Sequence, residues 1–228
     1  MMKKIRESLL LAGCLALLLG GTYAVANSNS TVKDSNQSLD QLFGELKQKM
    51  HHADDRNGAK VVAQGKGIQI TQREFLQYKA NKELIAAWNN LQTTPSNEEL
   101  LAELAQEKLA VAQATKRGIT ALDEEVKAFI SEQRDVLAHE LSGDVKDEVQ
   151  KVQQHLYDIR GLSEDAYWRD PEVVQNYKDL LLTQKLVEEL FAAGELNEAD
   201  FSFEDYKVKL WQNVKGSIKV NLQALNAL

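Results

Sequence analysis

The densest group of metal-capable side chains in this sequence is His51-His52-Ala53-Asp54-Asp55. Adjacent imidazoles in a loop or strand point apart, and a structural zinc site needs four ligands held in place, so the run reads as a polar linker and not as a metal site. His139 and His155 fall in segments of helical pattern and read as solvated helix residues. Cys14 is the only cysteine. A chain processed beyond it has no thiol for disulfides, redox chemistry or nucleophilic attack. The sequence contains no glycine-rich phosphate loop, helical HExxH or nucleophile elbow. These residues therefore predict a protein without catalytic residues, metal or cofactor.

The elements that would position any binding surface are mostly helical by pattern. Two prolines and twelve glycines in 228 residues are few, which favours long helices over a sandwich or barrel. A formal charge of -7 argues against nucleic acid as a partner, because phosphate binding needs a basic face. Oligomeric state is left open.

The stretch Val61 to Phe75, VVAQGKGIQITQREF, reads as a hairpin over 61–70 feeding a helix. Thr71 and Glu74 stand at capping-box spacing, in which each side chain bonds the other residue's backbone N–H. Leu76, Ala80, Leu84, Trp88 and Leu91 then recur at helical spacing up to Pro95. Ser96 and Glu99 form a second capping box before Leu100, Leu101, Leu104, Ala105, Leu109 and Ala112. Gly118 follows Lys116 and Arg117 where a helix-ending glycine belongs.

Asp123-Glu124-Glu125 opens the next helix, with Val126, Phe129, Ile130, Leu137 and Leu141 on its apolar side. Val145, Val149, Val152, Leu156 and Ile159 repeat at spacing 4, 3, 4, 3, the seam of a helical bundle. Ser163 starts a short helix with Tyr167 and Trp168. Pro171 starts a longer one carrying Val174, Tyr177, Leu181, Leu190 and Phe191. Phe203 to Val214 is the last amphipathic helix. Ile218, Val220 and Leu222 then alternate with polar residues, the period of a half-buried strand. A lone terminal strand needs a partner for its backbone groups. We therefore expect the strand at 217–222 to join the hairpin at 61–70 in one small antiparallel sheet, with the helices strung between.

The N-terminus reads as an export signal over residues 1–26: Lys3, Lys4 and Arg6, an apolar run from Leu9 to Leu19, and Ala24-Val25-Ala26 ahead of polar Asn27. Two alternatives stay open. Leu9 to Ala26 is 18 residues, enough for an uncleaved segment to hold the chain at a membrane. Leu11-Ala12-Gly13-Cys14 spells a lipoprotein box, with Cys14 as the lipidation site. Residues 27–59 read as a polar tether enclosing a short amphipathic segment, Ser38 to Met50, with Leu39, Leu42, Phe43 and Leu46 on one side.

Four segments carry a resemblance: GIQITQREF (67–75), LAQEKLAVAQATKRGIT (104–120), the DEEV that follows (123–126) and GLSEDAYW (161–168). Ala114, Thr115, Lys116, Arg117, Gly118 and Ile119 are its most specific part. Over roughly residues 60–225 the chain resembles the N-terminal domain of the SurA and PrsA extracytoplasmic chaperones, related in fold to the chaperone part of trigger factor. It departs from that pattern at Lys66-Gly67, where Asn-Gly is usual, and at Leu122, where a capping Thr is common. Nothing in the sequence fits the parvulin prolyl-isomerase domain, roughly 90–100 residues long, that many family members carry.

The resemblance implies one domain over 60–228 that is mainly α with a small antiparallel sheet. It implies a non-enzymatic, extracytoplasmic protein that binds unfolded or newly exported polypeptide; the membrane is a partner through the N-terminal segment if that segment is uncleaved or lipidated. An adaptable apolar surface suits that task. Tyr157, Trp168 and Tyr177 are the peptide-binding candidates, being far in sequence from the closing sheet. Two alternatives stand beside this one: a cell-envelope structural or assembly protein using the 145–159 seam for one dedicated partner, and a prolyl-isomerase relative that has lost its catalytic domain.

Overall fold

The computed structural model describes residues 38–55, 59–88, 95–140, 143–197 and 202–226. The export segment, Cys14 and residues 27–37 and 56–58 of the tether lie outside them, as do Leu91 and Leu141. The described chain is mainly helical with one three-stranded antiparallel sheet, as expected. Its elements are α1 (Leu39–Asp55), β1 (Val61–Gly65), β2 (Ile68–Thr71), α2 (Gln72–Trp88), α3 (Asn97–Lys116), α4 (Asp123–Asp135), α5 (Asp144–Arg160), α6 (Glu164–Tyr167), α7 (Pro171–Ala192), α8 (Phe203–Val214), β3 (Lys219–Val220) and α9 (Leu222–Asn226). A π-helical turn, Val136–Glu140, follows α4, and a 3₁₀ turn, Lys215–Ser217, precedes β3.

Two compact units share these elements. One contains 38–47, 84–88 and 121–181 of the described residues, the other 48–83, 95–120 and 182–226. The boundaries fall inside α1, α2 and α7, so the residues from 60 onward divide between two cores.

The sheet belongs to the second unit, in the order β2-β1-β3. Lys66 and Gly67 both have positive φ, 53° and 87°, as a two-residue hairpin turn with the strands' twist requires. Gly65 therefore pairs with Ile68. An extra residue at Val62 bulges β1, and both Val62 and its neighbour Ala63 are buried. β3 pairs with β1 through Ala63↔Val220 and Gln64↔Lys219. The return strand is thus present but shorter than the 217–222 alternation suggests. Asn221 ends it by capping α9: its Oδ1 accepts from Ala224 N–H at 3.0 Å and its carbonyl from Leu225 N–H at 2.9 Å. Leu222 consequently stands exposed, while Ala224 and Leu225 enter the core.

That core joins Val62, Ile68 and Ile70 of the sheet to Phe75 and Tyr78 of α2, Leu100, Leu101, Leu104, Ala105 and Leu109 of α3, Ile218 and α9. Both expected capping boxes form. Glu74 accepts from Thr71 N–H at 2.7 Å and Thr71 Oγ1 from Glu74 N–H at 3.2 Å; the corresponding distances for Ser96 and Glu99 are 2.7 and 3.3 Å. At Leu122 only half a box exists, Glu125 accepting from its N–H, because leucine has no acceptor.

Candidate functional site

In the first unit the candidates Tyr157, Trp168 and Tyr177 come together, but not on a surface. Tyr157 from α5 meets Tyr167 of α6 with ring centroids 5.0 Å apart. Tyr167 meets Trp168 at 5.5 Å, Trp168 meets Tyr177 of α7 at 5.8 Å, and Tyr177 meets Phe129 of α4 at 5.9 Å. Most of these contacts are edge-on, the favoured geometry for aromatic rings. Tyr157 and Trp168 are 7% and 6% exposed and Tyr177 is fully buried. The expectation that the three line an accessible groove is therefore corrected: they are core, gathered where four helices converge. Sequence distance from the sheet does not measure exposure, because the far helices build a core of their own.

Two arginines close the edges of this cluster. Arg134 lies over the Trp168 ring at 5.7 Å and pairs with Asp165 at 3.2 Å. Arg160 pairs with Asp170 at 3.2 Å and Glu172 at 3.1 Å. Burial works against the Arg160 charge, and the two acids outweigh it and raise its pKa. Trp168 Nε1 is buried with no acceptor among the described residues.

The middle of the seam expected at 145–159 is likewise internal, and Ile159 is half-buried. Val149, Val152 and Leu156 are buried, and so are Leu42, Phe43 and Leu46 of α1. Phe43 stacks on His155 at 4.6 Å with the rings 8° apart, and His155 Nε2 lies 3.0 Å from Asp40 Oδ1. His155 is thus a packing residue and not a solvated one, and the amphipathic segment of the tether is docked. His139 stays exposed, its Nδ1 3.2 Å from the Asp135 carbonyl. No group of three or more His, Cys, Asp or Glu is placed to hold a metal among the described residues.

The second unit holds a buried charge. Lys207 of α8 is 2% exposed, with Nζ 2.6 Å from Glu107 Oε1 of α3 and 2.9 Å from Glu204 Oε1. Burial opposes the ammonium, but Glu107 and then Glu204 overcome it and raise its pKa above the ordinary 10.5. Alongside, Tyr78 donates to Glu103 at 3.1 Å, and Lys82 pairs with the same carboxylate at 2.6 Å. Burial, then the charges of Glu103 and Glu107, push the Tyr78 phenol far up. Lys207 was not among the residues singled out in the sequence. The signal is there: Phe203, Lys207 and Trp211 are four apart, which puts the lysine on the apolar stripe of α8. Ser202 and Asp205 form a further capping box, at 3.0 and 3.2 Å.

The segment that carries the resemblance most specifically is a helix stop and clamp. Ala114 is buried, Gly118 takes φ 81°, and Ile119 N–H returns to the Ala114 carbonyl at 3.0 Å. Arg117 between them binds Glu195 at 2.7 Å and Glu189 at 3.0 Å.

No family model, curated protein or solved structure matches the chain.

Proposed function

We propose that this chain is an exported, non-catalytic chaperone of the SurA and PrsA type, which holds unfolded or newly exported polypeptide outside the cytoplasmic membrane. The observation that carries the reading is the closure of one small sheet by the hairpin at 61–71 and the return strand at 219–220, with the helix stop at 114–119 between them. That element order is what the resemblance implies. The buried aromatic run removes Tyr157, Trp168 and Tyr177 from direct client contact in the packed state. Client contact then begins at apolar side chains that stand in solvent: Leu122, Phe191, Val208 and Leu222 are 63%, 43%, 45% and 55% exposed. Isolated groups of this kind are common on folded proteins, so the weight rests on the sheet closure and the motif.

The dedicated-partner alternative draws little from the 145–159 seam, where Val149, Val152 and Leu156 are buried inside the first unit. Among the described residues no helix is long and apolar enough to cross a membrane. Suppression of aggregation of a chemically unfolded client, with no acceleration of prolyl isomerisation, is the test of the proposal.

A further inference from the structure

Several basic side chains of the second unit are paired and several stand free in solvent. Lys49, Lys82, Lys108, Arg117 and Lys207 all pair with carboxylates. Lys66, Lys116, Lys215 and Lys219 are exposed and have no acidic partner among the described residues.

Lys60, also exposed and without an acidic partner among the described residues, stands ahead of β1, whereas the fold brings these four to the hairpin end of the sheet. Lys66 is the hairpin tip. Lys219 lies opposite Gln64, two residues before that tip. Lys215 opens the 3₁₀ turn whose Ser217 carbonyl packs against Gly65, 2.8 Å from where a Cβ would sit. On the other side of the tip, a Cβ on Gly67 would lie 3.9 Å from Ala112 Cβ, and Lys116 follows Ala112 by one helical turn. Gly65, Gly67, Gly216 and Ser217 fill the space among them with little side-chain bulk.

We propose that this lysine end docks on anionic phospholipid headgroups at a bilayer surface. In a chain of formal charge -7, a broad polyanion is repelled by the rest of the molecule, whereas a membrane plane meets one corner only. Lysines are flexible, strongly hydrated point charges, suited to a fluid layer of headgroups and not to a fixed bidentate partner. The arginine beside them, Arg117, is held by Glu189 and Glu195 and is not free to fork onto a base or phosphate. The inference does not depend on polypeptide binding.

The test uses the full chain with Cys14→Ser and Ser217→Cys, the new thiol carrying an environment-sensitive dye. It is mixed with vesicles of phosphatidylcholine alone, or with added phosphatidylglycerol, each containing a headgroup-located quencher. Reading the dye isolates this corner from any insertion by the apolar N-terminus. Quenching is expected on the anionic vesicles only, is reversed by high salt, and weakens roughly a hundredfold in vesicle concentration when Lys66, Lys215 and Lys219 are changed to Glu. Those sites are exposed, so the variant should keep the parent melting temperature. Equal quenching on neutral vesicles, no quenching, or retention in a folded charge-reversed variant would overturn the proposal. So would a stronger dye response to polyglutamate or single-stranded DNA than to the vesicles.

Discussion

Lys207 Nζ lies 2.6 Å from Glu107 Oε1 across 100 residues of chain, and the lysine is 2% exposed. This pair joins α8 to α3 in the unit that carries the sheet. Removing one partner of a buried pair leaves the other charge desolvated. Lys207→Met should therefore cost about 3–5 kcal/mol in denaturant unfolding. Lys207→Met with Glu107→Leu should recover much of that loss, because an apolar replacement of both partners is often neutral or better. A double change as costly as the sum of the two single ones would show that the charges do not interact.

Gly65 holds φ 145°, and a Cβ there would meet the Ser217 carbonyl at 2.8 Å. Gly65→Ala is expected to lower stability by about 1–3 kcal/mol and to raise amide exchange at Lys219 and Val220 more than along α3. Unchanged protection of these strand amides would mean that the two strands do not depend on close approach at Gly65.

Much of this arrangement can be read from residue types alone. Capping boxes, the glycine stops and the change from helical to alternating period are local signals, and they place Thr71, Ser96, Gly118, Gly161 and the closing strand. What the sequence does not give is which apolar faces find each other. Phe43, expected on a tether, stacks on His155, and Tyr177 is enclosed by rings from other helices. Such partners are set by tertiary contact and not by spacing. Leu222 illustrates the reverse error: it continues an alternating pattern, yet Asn221 caps a helix one residue earlier and turns it to solvent.

Trp168→Ser and Tyr177→Ser each truncate a ring inside the first unit. Each should cost about 3–5 kcal/mol, and the double variant should unfold that unit in a thermal melt. Phe191→Ser with Val208→Ser touches exposed groups and should leave the melt within about 0.5 kcal/mol of the parent while weakening client binding. Melts beside a client-binding titration separate the two classes, and the reverse ranking would return the buried aromatics to the binding surface.

Glu74 is partly buried, which raises its pKa, but Lys108 and the Thr71 bonds outweigh burial and hold it below its ordinary 4.5. A depressed carboxylate contributes stability that is present above its unfolded-state value and is lost as pH falls through its folded-state value. The melting temperature should therefore decline on acidification below about pH 4.5, less steeply in Glu74→Gln. The raised Lys207 acts at the other end: its contribution is complete below pH 10.5 and disappears above the folded-state value. Identical acid slopes for the parent and Glu74→Gln would remove Glu74 from this account.

The central claim, holding of unfolded polypeptide without covalent chemistry, is tested most directly by one refolding experiment. A denatured, aggregation-prone client whose slow phase is limited by proline isomerisation is diluted into increasing amounts of the purified chain, with turbidity and the slow phase recorded together. The uncatalysed phase takes about 10–100 s at 25 °C, so any catalysis is readily seen. The account predicts that turbidity falls at near-stoichiometric chain while the slow-phase rate constant stays unchanged. Undiminished turbidity, or a rate constant that rises in proportion to the chain added, would contradict it.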